Sequence, residues 1–139
     1  MNLSIINSSN IPKVWAEVKP LIDKALAHAD GEMDSSDVLT LLFKEQQILW
    51  VGFKDDGIFC AGTTEIVNYP KKRILRIITF ATKSGHDYDL WKDFIHTLEG
   101  FGQMCGCVSI EAWVRKGLAR KLKWNNEYSI ITKPIIPGD

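Results

Sequence analysis

The stretch from Arg73 to Trp113 constrains the fold of this chain more than any other, because its hydrophobic period changes twice in succession. Ile74-Leu75-Arg76-Ile77-Ile78-Thr79-Phe80 is a nearly unbroken apolar run, the pattern of a central strand covered on both faces. It stops at Thr82-Lys83-Ser84-Gly85-His86-Asp87. Beyond it Trp91, Phe94, Ile95, Leu98, Phe101 and Cys105 recur every three or four residues, as the buried stripe of a helix does. Gly106 breaks the stripe, and Cys107 to Ala112 resumes an extended pattern. Strand, helix and strand in this order imply a βαβ unit. Open α/β sheets bind ligands where a strand's carboxyl end meets a helix's amino end, so residues 82–88 are the first candidates for function.

The rest of the chain supplies partners for this unit. Ser9-Asn10 before Ile11-Pro12 reads as a helix start, with proline in the first turn where its missing N–H costs nothing. Val14, Trp15, Val18, Leu21, Ile22, Ala25 and Leu26 then follow helical spacing, and Pro20 is expected to kink or break that helix near Lys19. Asp30-Gly31 closes the segment, and Asp34-Ser35-Ser36-Asp37 opens a second, short helix carrying Val38, Leu39, Leu41, Leu42 and Phe43. From Gln47 the period is that of strands: Ile48 to Phe53, a turn at Lys54-Asp55-Asp56-Gly57, then Ile58 to Val67. Tyr69-Pro70-Lys71-Lys72 turns the chain into the Arg73–Thr82 strand, which completes an antiparallel meander of three. A short helix over Arg115–Leu122 and a last strand over Glu127–Ile131 are expected after Ala112, ahead of a loose tail from Pro134.

Composition narrows the class. At 139 residues, with 45% hydrophobic residues and five tryptophans, the chain makes one ordinary globular domain that buries roughly 70% of its unfolded surface. A formal net charge of zero argues against a protein devoted to neutralising phosphates. Cys60, Cys105 and Cys107 are an odd number, and residues 1–10 lack a basic start followed by an apolar run, so a reducing cytoplasm is the expected setting. These cysteines, with His28, His86 and His96, lack the paired spacing of a structural zinc site and read as small hydrophobes. No apolar run approaches the roughly 18 residues needed to span a bilayer.

Two helices, three meandering strands, a helix, a strand, a short helix and a final strand, in a chain of this length, resemble the GNAT superfamily of acyl-coenzyme A dependent N-acyltransferases. The chain resembles especially the small, divergent GNAT-like proteins of bacteriophage genomes. The resemblance covers nearly the whole chain and implies an α/β (α+β) fold: a mixed, mostly antiparallel sheet with helices on both faces, and a cleft at the ends of the strands Ile74–Thr82 and Cys107–Trp113. It implies acetyl-CoA as cofactor, held by the backbone of Phe80, Ala81, Thr82, Lys83, Ser84, Gly85, His86 and Asp87, with Arg115 contributing from the segment after the fifth strand. In the family this loop carries Arg or Gln, two residues, Gly, one residue, then Gly or Ala. Thr82, Gly85 and Asp87 stand at those positions, and Gly85 is the one that matches. Asp87 and Asp89 add carboxylates that favour the helix and oppose a phosphate. In the family's second signature an Asn is followed by a small residue and a general-acid Tyr. Arg115, Leu118 and Leu122 fall there, which leaves Tyr128 as the tyrosine nearest in sequence.

A transferase of this kind needs a base for the attacking amine, and the chain offers Glu65, Glu111 and His86. Glu111 lies between Ile110 and Ala112, where desolvation would raise a carboxylate pKa toward that role. Each strand glutamate has an equally direct reading as an ordinary residue facing water. Trp113, Arg115, Lys116, Arg120, Lys121, Lys123 and Trp124 gather five cations and two aromatics, readable as a nucleic-acid patch, as support for coenzyme phosphates, or as a solvated helix face with both tryptophans in the core. The balanced charge favours the last and argues against nucleic acid as a partner.

Two functions follow. One is acetyl transfer to an amine on a small molecule or a protein; the other is a module that keeps the fold without the chemistry, in a phage particle or against a host protein. A homodimer through an exposed sheet edge is open to either.

Overall fold

The computed structural model describes residues 2–27, 31–55, 57–83, 88–112, 122–125 and 131–135. Its elements are β1 (Asn2–Ile6), α1 (Ile11–Leu26), α2 (Ser35–Phe43), β2 (Ile48–Lys54), β3 (Gly57–Tyr69), β4 (Lys72–Thr82), α3 (Tyr88–Met104) and β5 (Ser109–Ala112), with a turn of 3-10 helix at Ser8–Asn10. The described strands form one sheet in the order β1-β2-β3-β4-β5. Neighbours from β1 to β4 are antiparallel, and β4 and β5 are parallel, joined by α3 as the βαβ reading requires.

Strand alternation divides the apolar side chains between two cores. On one face Leu49, Val51, Ile58, Ala61 and Ala81 pack against Ile11, Val18, Leu21 and Ile22 of α1 and Val38 and Leu42 of α2. On the other, Trp50, Cys60, Leu75, Ile77 and Phe80 pack against Leu90, Phe94 and Leu98 of α3. Phe94 is fully buried and stacks on Phe80 with ring centroids 4.4 Å apart, while Trp91 meets Phe80 edge-on at 4.8 Å. Burying such a ring contributes about 2–3 kcal/mol, so this aromatic group fixes α3 on the sheet.

Three expectations need correction. β1 was not foreseen: Asn2–Ile6 is too short and too mixed in polarity to announce a strand, and only its pairing with Leu49–Phe53 of β2 makes it one. The first helix starts at Ile11 after Asn10 with Pro12 in its first turn, as expected, but Asn10 makes no side-chain cap, and it is Asn7 that caps, at the preceding 3-10 turn. Pro20 does not break α1, which runs unbroken from Ile11 to Leu26. Pro20 is exposed, and Val18, Leu21 and Ile22 on the buried face hold the helix together across it.

The second helix begins as its sequence indicates. Asp34 accepts from the N–H groups of Ser36 and Asp37, and Asp37 answers by accepting from the Asp34 N–H, a complete capping box. The Ser36 hydroxyl, also bonded to Asp34, leads the interactions that hold the Asp34 carboxyl below its ordinary pKa. Met104 ends α3, so Cys105 lies just past the helix, and Gly106 with φ +78 turns the chain toward β5. The expected helix over 115–122 lies outside the described residues except for Leu122. Of the expected last strand only Ile131 is described, as an exposed residue outside any strand.

Candidate active site

β4 is the axis of the candidate site, and its two edges are treated differently. On one side β3 accompanies it along its whole length, from Tyr69↔Lys72 to Cys60↔Thr82. On the other, β5 pairs only with Ile74–Ile77. Among the described residues nothing strand-like lies beside Ile78–Thr82. The register against β3 jumps from Thr64↔Ile77 to Thr63↔Thr79, which makes Ile78 the extra residue of a β-bulge, next to the last described β4–β5 pair, Ile77↔Ala112. Bulges bend and twist a strand, so β4 is re-aimed from Ile78 onward.

One step before that point, three charged side chains stand in a row across three strands. Glu65 on β3 lies opposite Arg76 on β4, and Arg76 lies beside Glu111 on β5. Arg76 donates from one terminal nitrogen to Glu65 Oε1 at 3.4 Å and from the other to Glu111 Oε1 at 3.3 Å. The Tyr69 hydroxyl closes the group, accepting from Arg76 at 3.0 Å and donating to Glu111 Oε2 at 3.3 Å. Alternation puts this row on the face opposite α3, since Leu75 and Ile77 pack against α3 while Arg73 reaches the Cys105 carbonyl at that helix's end. Side-chain exposures of 17%, 29% and 31% for Arg76, Glu65 and Glu111 make the row half-buried, neither solvated nor sealed.

The two glutamates proposed as bases from sequence are therefore brought together, as partners of one guanidinium. This overturns the reading of either as a plain water-facing strand residue. Arg76 and Tyr69 had not been singled out: Arg76 interrupts an apolar run, and Tyr69 sits before a turn. A charged residue inside a buried strand was the available signal, since such a residue needs partners on the neighbouring strands.

At the far end of β4 the residues expected to hold a cofactor divide. Phe80 and Ala81 are buried, with the Phe80 ring in the aromatic core, so only their backbone can meet a ligand. Thr82 is 2% exposed, and Lys83 is exposed while its N–H bonds the Phe59 carbonyl. Ser84, Gly85, His86, Asp87, Arg115 and Tyr128 lie outside the described residues. Asp89 stands in the first turn of α3, where a carboxylate favours the helix itself. Sequence reasoning also missed Lys24, whose ammonium reaches from the last turn of α1 to the Thr82 carbonyl at 2.8 Å.

A groove lies elsewhere. It measures about 280 Å³ and runs between α3 and the start of β5, lined by Leu98, Gly102, Cys107, Ile110 and Trp124 among others. It opens at the amino end of β5, away from the carboxyl end of β4, so strand geometry rather than cavity size locates the candidate site. Trp124 is half-buried there against the α3-side core, as expected of it, while Trp113 and most of the basic cluster lie outside the described residues. Cys60 is fully buried, which raises its thiol pKa to about 11; Cys107 is half-buried and also raised, chiefly by desolvation. No group of three His, Cys, Asp or Glu among the described residues could hold a metal ion, and no described helix is long and apolar enough to cross a membrane.

Solved structures share this arrangement. An aminoglycoside acetyltransferase from an uncultured soil metagenomic sample superposes with a TM-score of 0.71 at 15% identity, covering 97% of this chain and 95% of its own. The fold is that of the GNAT acetyltransferases. A ribosomal-protein-alanine N-acetyltransferase from Brucella melitensis reaches a TM-score of 0.73 at 9% identity, over 97% of this chain and all of its own. A GNAT family acetyltransferase from Staphylococcus aureus reaches 0.66 at 15% identity, over 96% and 98%. At such identities the GNAT likeness is one of fold. No protein-family model matches the chain, and no curated protein matches it.

Proposed function

We propose that the protein is an acetyl-CoA-dependent N-acyltransferase that moves an acetyl group directly to an amine, with Glu111 as the base. The observation that carries this reading is the Glu65–Arg76–Glu111 row, set two residues before the β-bulge at Ile78. The cofactor would supply the activated thioester. The edge of β4 from Ile78 to Thr82, which pairs with no strand on that side among the described residues, suits it: its N–H and C=O groups are spaced to pair with an amide-bearing arm, as an added strand would. Phe80 and Ala81 take part through backbone alone.

The chain's own residues do the rest. An acceptor arrives at neutral pH as an ammonium, and two carboxylates sharing one guanidinium leave a net negative charge to attract it. Glu111 then takes the proton that frees the amine's lone pair. Arg76 and Tyr69 fix its orientation, since both of its oxygens are hydrogen-bonded. Glu65 keeps one oxygen without a described partner and is the companion site for the ammonium.

A thermal melt with acetyl-CoA tests the cofactor. At 100 times the dissociation constant, binding adds about 2.7 kcal/mol and raises the midpoint by several degrees. No shift at millimolar cofactor sinks the transferase reading. For the base, Glu111→Gln is expected to lower turnover about 10²–10⁴-fold with cofactor affinity unchanged, while Glu65→Gln chiefly raises the KM of the amine.

One observation favours a second reading, a binding module against a phage or host protein: Arg76 and Tyr69 already engage Glu111, as in a group built for structure. A cofactor-induced shift with no transfer to any of a panel of amines would select it.

A further inference from the structure

We propose that Lys24 is a phosphate-binding residue of the coenzyme site, supplying from α1 a cation at the end of β4. The inference rests on the cofactor reading above. Lys24 lies in the last turn of α1, and its partly buried ammonium donates to the Thr82 carbonyl at 2.8 Å. That is its one hydrogen bond among the described residues, and no carboxylate among them is within ion-pairing distance of it. The contrast with other cations is direct: Lys19 on the same helix is spent on Asp23 at 2.9 Å, and Arg76 on Glu65 and Glu111. An ammonium has three N–H donors, so Lys24 brings a charge not neutralised by any described residue, and spare donors, to the end of β4.

The place matters as much as the charge. Thr82 stands where the resemblance puts a long Arg or Gln, and at 2% exposure its short side chain does not reach outward. The Thr82 carbonyl instead anchors the ammonium of Lys24 at that backbone position, with exposed Lys83 next in the chain. Two cations are thus gathered against the one described carboxylate at the start of α3, Asp89, which by itself opposes an anion. Lysine serves phosphate as a point charge, which tolerates a helix-borne origin where a planar, bidentate contact would not. A bond to a carbonyl alone is also what a purely structural clamp between α1 and β4 would make, so the experiment must separate charge from clamp.

Lys24→Gln does so, because glutamine can still donate to the Thr82 carbonyl but carries no charge; Lys24→Arg keeps the charge, and Lys19→Met controls for removing a cation from α1. Binding of coenzyme A and of pantetheine, which lacks the phosphates, is measured by calorimetry for each variant at two salt concentrations, with thermal midpoints taken alongside. Lys24→Gln is expected to weaken coenzyme A about tenfold or more, to flatten its salt dependence and to leave pantetheine unchanged, while Lys24→Arg retains most of the affinity. Equal coenzyme A affinity in Lys24→Gln and the native protein overturns the proposal. Equal losses for both ligands, or a loss in Lys19→Met as large as in Lys24→Gln, overturn it too, by assigning Lys24 to the clamp or to diffuse charge. If the native protein binds neither ligand, the cofactor reading fails first and takes this inference with it, a result visible before any substitution is made.

Discussion

Replacing Arg76 by methionine tests the central row of the site in isolation. Methionine keeps the apolar stem, but Glu65 and Glu111 are left on either side of β4 without the cation that each meets at 3.3–3.4 Å. Unit charges 3.4 Å apart attract by about 1 kcal/mol in water and about 5 kcal/mol at an effective dielectric constant near 20. Breaking a fully buried pair costs about 3–5 kcal/mol, and glutamates 29% and 31% exposed recover part of that by hydration, so a loss of about 2–4 kcal/mol is expected at pH 7. At about 3 °C per kcal/mol for a chain of this size, the midpoint falls by roughly 6–12 °C. Glu65→Gln in the Arg76→Met background removes one unpaired charge and should restore at least about 1 kcal/mol, giving a positive coupling in urea-unfolding cycles. An Arg76→Met protein within about 0.5 kcal/mol of the native one, with no coupling to Glu65, would falsify the claim that the row is held by its charges.

Gly62→Ala should destabilise by about 1–3 kcal/mol in the same unfolding assay, because a Cβ there meets Phe94 Cζ at 2.8 Å and the Thr79 carbonyl oxygen at 2.9 Å, and the carbonyl belongs to the sheet. Trp50→Phe removes the bond from the indole N–H to the buried Thr64 hydroxyl at 2.9 Å and part of a T-shaped contact with Phe101; a loss of at least about 1 kcal/mol is expected, and an unchanged midpoint would contradict it. Burial lifts the Cys60 thiol from 9.0 to about 11, so the unfolded chain gives up that proton first. Stability is therefore full below pH 9 and falls as pH rises from 9 toward 11, by up to about 3 kcal/mol. Cys60→Ala should lose that part of the alkaline slope, and an identical slope would count against it.

The βαβ unit was legible because its period is repeated: a run apolar on both faces, then a stripe at helical spacing, then extension again, bounded by Thr82 and Gly106. Each of those signals is local, since a residue's face depends on neighbours one to four positions away. The capping box at Asp34 and the turn before Gly57 are local in the same way. β1 was not legible, because five residues of mixed polarity become a strand only when Leu49–Phe53 lies beside them. Nor was the survival of α1 across Pro20, which depends on the core packed beneath it.

The site shows the same division. The sequence by itself determined which residues bear chemistry: Glu65, Glu111 and a glycine-containing connection after Thr82. The tertiary structure alone decided that Arg76 lies between the two glutamates, that Tyr69 closes the group from seven positions away in the chain, and that Lys24 reaches the end of β4 across 58 positions. Pairing register and helix packing bring these groups together. A hydrogen bond or ion pair needs its two atoms a few ångströms apart, and separation along the chain carries no record of that distance once sheet and helices are assembled.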